Sequence, residues 1–461
     1  MTAAKSQAVI RPGPGPSRPY HFPAFERVRM DNGMELVCAP VHKVPLVSVN
    51  VLVDAGATAD PAGHEGVAHL TAQLLLEGTA TMDGATLAER MERLGATVDA
   101  QADWDGAVVS MTVLSANLRP ALDLLRDMLR APAFAEREVA RLKAERLAEL
   151  LQLRSDPGAL ADEQFSRFLY RGESRYARLE GGDEASITSI ARADIQGFYE
   201  ARYRPAGMQV IVAGDVSVAD AHEQVQRVFG DWRGERAVRV EADDRAANNS
   251  RVLRVVTKAD APQSELRIGH VGVPRAHPDY FPLVVMNAVL GGLFSSRINL
   301  NLREAHGYTY GAHSAFEWRR QAGPFVVSTA VQTDVTADAA REAIGEIARM
   351  REGLIEPGEL SLAVDYLDGV FPIRYETTAA ICAALSTLVR YELPADYFDT
   401  YRRRIREVTA EDVLRVAREH LHPESLLMVA VGDAAAIRGP LDALRFGPMT
   451  THDAEGRDVA R

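Results

Sequence analysis

Two stretches of this chain, set apart by one constant offset, carry the same residues in the same local setting. Asp194, Pro205, Gly214 and Asp215 recur as Asp412, Pro423, Gly432 and Asp433. In each copy a helical pattern opens after Ser189 or Thr409 and a turn follows at Arg204-Pro205 or His422-Pro423. An apolar strand (Gln209 to Ala213, Leu427 to Val431) then closes on Gly-Asp. Four identities at one offset, in one order of elements, mark a duplication. The chain is therefore expected to fold as two similar halves, and 461 residues are enough for two cores.

Between the copies, Gly234 to Ser250 lacks apolar periodicity and reads as an exposed linker. The expected organisation is an extended Pro-rich arm (1–24), a first half (25–233), the linker (234–250), a second half (251–446) and a tail (447–461). Each half alternates strand patterns (Leu46 to Asp54, Ala107 to Leu114; Glu265 to Val271, Phe325 to Gln332) with long amphipathic helices (Leu118 to Arg130, Glu136 to Leu153; Arg341 to Gly353, Pro357 to Val370). Consecutive strands with helices segregated to one side predict an α+β layered fold.

The segment from Gly63 to Thr79 carries the chemistry that is easiest to recognise. An inverted zinc-peptidase helix reads H-x-x-E-H, with two imidazoles one turn apart gripping the metal and a glutamate taking a proton from metal-bound water. Here that register is His69-Leu70-Thr71-Ala72-Gln73. The first ligand is present, the base is a methyl group, and the second ligand is an amide, whose oxygen is a poor zinc donor beside nitrogen and sulfur. Reading His64-Glu65-Gly66-Val67-Ala68-His69 as a forward H-E-x-x-H fails by one residue. Five residues at about 100° each put the two rings roughly 140° apart around a helix.

On these residues, with the trailing Glu77-Gly78-Thr79, the chain resembles the pitrilysin, or insulinase, family of zinc peptidases, in its short bacterial and mitochondrial-processing-peptidase branch. The resemblance implies two α+β halves facing each other as a clamshell. It implies a third ligand position at Glu149, ahead of Asp156-Pro157, on a strongly charged helix where a solvated glutamate is the plainer reading. His69 and Glu149 are weak metal candidates, because a catalytic zinc needs three protein ligands and an open position. The offset of the duplication carries His69 onto Asn287, so the copies differ most where the metal helix lies.

The second half holds Ser295 to Tyr310, which resembles the family's R-x-x-x-G-x-x-Y stretch, with Arg303 and Tyr310 as the pair. In the family these side chains hold the substrate backbone and the developing oxyanion. A guanidinium and a phenol place donors where negative charge grows. The plainer reading pairs Arg303 with Glu304 or Glu317 and lets Tyr310 open a strand. His306 and His313 read as loop and strand residues.

Composition narrows the function further. A formal charge of −12 without a basic stripe argues against nucleic acid and anionic membranes. No run of eighteen apolar residues suggests a membrane span. The start, Met1 to Phe22, lacks an apolar signal core, so the expected compartment is cytoplasmic. Cys38 and Cys382 imply neither a disulfide framework nor a cysteine metal site. The resemblance then implies a non-catalytic subunit without its own cofactor. It would lend Arg303 and Tyr310 to a catalytically complete partner that bears zinc on an intact H-x-x-E-H and cleaves peptides. The alternatives are a scaffold with no role in catalysis, or a self-sufficient zinc peptidase with an atypical site.

Overall fold

The structure is a computed structural model that describes residues 19–459. Most of the 1–24 arm lies outside the described residues. Its last part packs on the second half, where Phe22 stacks on Phe398 at 4.2 Å between ring centroids and Tyr20 meets Phe371 edge-on.

Among the described residues fourteen strands run in chain order: β1 Glu26–Arg29, β2 Glu35–Pro40, β3 Leu46–Val53, β4 Gly78–Thr79, β5 Met82–Asp83, β6 Thr97–Ala102, β7 Ala107–Leu114, β8 Gln209–Gly214, β9 Val252–Thr257, β10 Gln263–Val271, β11 Ala312–Phe316, β12 Pro324–Gln332, β13 Leu427–Gly432 and β14 Met449–His452. They build two six-stranded sheets, ordered β1-β2-β8-β3-β7-β6 and β11-β12-β10-β13-β9-β14, besides the small β4-β5 hairpin. Read in opposite directions, the two orders correspond strand for strand. Only the outermost strand differs in origin: β1 comes from the start of the chain and runs antiparallel to β2, whereas β14 comes from its end and runs parallel to β9. The stretch 447–461, set apart as a tail on the sequence, thus completes the second sheet. Its pattern of Met, Thr and His is too short and too polar to announce a strand.

The helix Leu118–Arg130 buries Leu118, Ala121, Leu122, Leu125, Met128 and Leu129 at helical spacing, which is why its bounds were readable. Its counterpart runs over Thr336–Arg349 rather than 341–353. The first turns bury Ala337, Ala339 and Ala340, residues too small to mark a periodic apolar face. The linker 234–250 is pinned rather than loose: Arg239 pairs with Asp54 at 3.2 Å and Glu392 at 3.0 Å, and Asp244 accepts from Ala322 N at 2.9 Å.

Alternation along the strands assigns each sheet two different coverings. In the first sheet Cys38, Val47, Val49, Val51 and Val212 face one core, shared with the half's own helices. Val37, Ala39, Leu52, Ile211 and Ala213 face another, where they meet Ile381, Cys382, Leu385 and Leu388. Those four belong to the helix Thr378–Arg390 of the second half. The reciprocal helix, Pro157–Leu169 of the first half, lays Leu160, Ala161, Phe165 and Leu169 on Val252, Val256, Val429 and Val431 of the second sheet. Each half therefore lends one helix to the other, and burying each such large apolar side chain stabilises the union by roughly 1.5–3 kcal/mol. The apolar helical stretch Tyr280–Ala305 is long enough to cross a membrane, yet Phe281, Leu283, Val285, Met286, Leu290, Ile298 and Leu302 sit in the second half's core.

Candidate functional site

The helix that carries His69 spans Val67–Leu74, and its start is fixed by a buried carboxylate. Asp60 accepts from Gly66 N at 2.7 Å and Ala68 N at 2.9 Å, satisfying donors that a helix end leaves open. Arg175 Nη2 closes on the same carboxylate at 2.8 Å. Gly66 has φ +97°, and a Cβ there would stand 2.6 Å from Gly181 O, so this entry needs glycine. His64 lies before the helix, with its Nε2 3.9 Å from Asp194 Oδ2. It does not share a face with His69.

Within the helix His69 is half-buried, and its Nε2 is buried without a hydrogen-bond partner. Burial, and then the charge of Arg146, pull this imidazole below its ordinary range, with Glu149 acting in the opposite sense. It is held as a neutral ring. Ala72 is fully buried in the first core and offers no base. Glu149 comes near His69 from the helix Glu136–Ser155, but its carboxylate is taken by Arg146 Nη1 at 3.2 Å. Arg146 is itself anchored, with Nε donating to Gly181 O at 3.1 Å and its side chain only 13% exposed. A fixed guanidinium thus stands beside the one imidazole and the one carboxylate that a metal would require. His69, Gln73 and Glu149 do not fit a catalytic zinc: one imidazole and one carboxylate are two good donors where three are needed, and the Gln73 amide is a poor third.

Arg146 is the residue that sequence reasoning missed. The signal was available, because residues three apart on a helix share a face. The site opens on a cavity of about 760 Å³ that Arg146, Glu149, Asp156 and Asp162 share with Arg267 of the second half. Arg267 is buried and already committed to Asp162 at 2.5 Å and Glu265 at 2.8 Å.

Arg303 and Tyr310 sit in the second half, on the stretch before β11. The chain reaches them through a π-helical turn, Leu300–Ala305, which Gly307 ends at φ +68° with its amide on Arg303 O at 3.1 Å and that of Tyr308 on Leu302 O at 2.9 Å. Arg303 lies over the Phe294 ring at 4.5 Å and reaches Glu304 at 3.4 Å. The partner named in the plainer sequence reading is therefore real, although such a half-exposed pair contributes little. Glu317 instead binds Arg319 at 2.7 Å. Tyr310 precedes β11 and is 92% exposed. Among the described residues, no hydrogen bond, ion pair or ring contact joins Arg303 or Tyr310 to His69, Arg146 or Glu149. His306 is an exposed loop residue and His313 lies on β11.

Known proteins match this arrangement over nearly the whole chain. Residues 37–181 match Insulinase (Peptidase family M16), and residues 189–367 match the Peptidase M16 inactive domain. An uncharacterized zinc protease of Mycobacterium tuberculosis is 27% identical over 443 residues, covering 95% of this chain and 98% of its own. One of Streptomyces coelicolor is 23% identical over 430 residues, covering 91% and 92%. Among solved structures, a peptidase M16 inactive domain from Pseudomonas fluorescens superposes with a TM-score of 0.83 at 27% identity, covering 89% of this chain and 98% of that one. A Helicobacter pylori protease gives 0.82 at 19%, covering 89% and 99%. Two α+β halves joined by duplication, a His69-bearing helix entered at Gly66 and held at its start by Asp60, and matches to both family domains make this chain a member of the pitrilysin/insulinase family, peptidase family M16.

Proposed function

We propose that this chain is the non-catalytic subunit of a heterodimeric zinc metallopeptidase, contributing Arg303 and Tyr310 to the site of a partner that bears an intact H-x-x-E-H. The metal, on this reading, belongs to the partner. The observation that carries the proposal is the contrast in commitment. At this chain's own metal helix Ala72 and Gln73 stand at the base and second-ligand positions, and the Glu149 carboxylate is bound by Arg146, whereas the Tyr310 phenol stands 92% exposed after a glycine-ended turn and Arg303 is held by an aromatic face and an exposed carboxylate. Donors presented outward are what a second chain could use to bind a peptide carbonyl and stabilise its oxyanion. An extended peptide would find pairing groups along an outer strand such as β6, which lies at the sheet edge next to the His69 helix.

The test is steady-state peptide cleavage by the co-purified pair, with assembly checked by size-exclusion chromatography. Tyr310→Phe removes one hydroxyl and should lower kcat by roughly 100-fold. Arg303→Lys should also be harmful, because a point charge cannot reproduce the guanidinium fork. Unchanged kcat in both variants with the complex intact would favour the scaffold reading and sink this one.

A further inference from the structure

A cluster of possible metal ligands lies in the second half, away from the His69 helix. His277 and Asp279 occupy the turn before the helix Tyr280–Asn287, and His420 is the last residue of the helix Ala410–His420 that packs on it. His420 Nε2 is 2.8 Å from Asp279 Oδ2, and His277 Nδ1 is 4.0 Å from the same oxygen. The two rings meet edge to face with centroids 4.8 Å apart, and one ligand atom from each of the three residues falls within 4.8 Å of the others. Donors about 2.1 Å from a tetrahedral zinc stand roughly 3.4 Å from one another, and the two observed spacings bracket that value.

We propose that His277, Asp279 and His420 form a binding site for a divalent transition-metal ion of the zinc class. Two imidazoles and a carboxylate are the donor set such ions prefer, and three protein ligands leave a position open to water. Arg415 fixes the carboxylate's orientation, with Nη2 on Oδ1 at 2.7 Å and Nη1 on Oδ2 at 3.1 Å, so a bound ion competes with this guanidinium for Oδ2. Glu419 faces the same point, 2.8 Å from Arg415 and 3.9 Å from His420 Nε2, leaving the cluster one negative charge in excess with Asp279 and Glu419 against Arg415. Coordination through His277 Nδ1 exchanges its 3.1 Å contact with Asp279 N for the metal bond.

The duplication provides an internal control. The equivalent positions of the first copy are Ala59, Pro61 and Arg202, and these three also converge, lining one surface cavity of about 560 Å³. The fold brings the three positions together in both halves, and only the second half fills them with ligands.

The experiment uses the full chain stripped with chelator, titrated with zinc chloride by calorimetry and with cobalt chloride by visible absorption. One equivalent should bind. His277→Gln and His420→Gln should each weaken zinc at least tenfold and remove the cobalt band, while His69→Gln leaves both unchanged. Circular dichroism confirms that the variants are folded. No stoichiometric binding by the stripped chain, binding indifferent to both substitutions, or binding lost only in His69→Gln would overturn the assignment.

Discussion

The first and second halves use one sheet order for two purposes, and the difference is sharpest at the helix beside the edge strand. In the first half that helix presents His69, with an unpartnered nitrogen, next to Arg146 and Glu149. In the second half the equivalent position is Asn287, whose amide donates to Ser314 O at 3.0 Å and accepts from Ser314 Oγ at 2.8 Å on β11. A polar side chain at this place can serve a metal or tie the helix to the sheet. Around it the second half winds into π-helical turns at Ala288–Gly292 and Leu300–Ala305, and the latter delivers Arg303 to the surface. The long helices that follow also differ. Glu136–Ser155 is laced with ion pairs such as Arg141 with Glu77, Glu138 and Glu145, whereas Pro357–Arg374 exposes Leu362, Tyr366 and Ile373.

Separate halves would unfold separately, and the exchanged helices are the direct way to break that picture. Leu385, fully buried, belongs to the second half but packs against the first sheet. Leu385→Asp should destabilise the chain by more than about 4 kcal/mol, since it buries an unpaired carboxylate in an apolar interface. Urea denaturation followed by circular dichroism should show both halves failing in one transition. A surviving first-half transition at the wild-type midpoint would mean that the crossing helix is dispensable to the sheet it covers.

A second contrast is a buried histidine of the second half that has no counterpart in the first. His270 is buried, with Nδ1 on Val271 O at 2.9 Å and Nε2 accepting from His422 N at 3.2 Å, and burial lowers its pKa to about 4. The equivalent position in the first half is Leu52. The unfolded imidazole, near 6.5, binds a proton that the folded one resists. The stability is thus fully present above about pH 6.5 and is lost as pH falls toward 4, by roughly 3 kcal/mol. The difference between wild type and His270→Gln in urea midpoint should therefore shrink across that window. A constant difference would show that His270 does not titrate on unfolding.

The smallest expected effect concerns the His69 helix. Restoring the motif with Ala72→Glu and Gln73→His adds a base and a ligand but leaves Arg146 on Glu149. Adding Arg146→Leu should tighten zinc by at least about tenfold over the double variant, because the competing cation is gone. Equal zinc affinity in the double and triple variants, measured against a competing chelator, would show that Arg146 is not what keeps the site closed and that Glu149 is not the third ligand position.

The duplication, the α+β alternation, the strands β3, β7, β10 and β12 and the altered register at His69, Ala72 and Gln73 were all legible in the chain, because each is written in residues near one another or at a fixed offset. Other features depend on contacts between residues far apart. That the helix Thr378–Arg390 covers the first sheet could not be read from its apolar face, which shows only that something must be buried and not against what. The strand β14 pairs through its backbone, which carries no side-chain signature. Arg146 is an ordinary charge on a charged helix until folding sets it between Gly181 O and Glu149 beside His69. The same holds for His277 and Asp279, which lie far from His420 along the chain and meet it only because two helices pack. Local pattern determined which segments form and which letters of the metal motif are missing. Tertiary packing alone decided which charges stand beside His69 and Glu149 and which side chains are left exposed, since burial and pairing energies belong to neighbours in space.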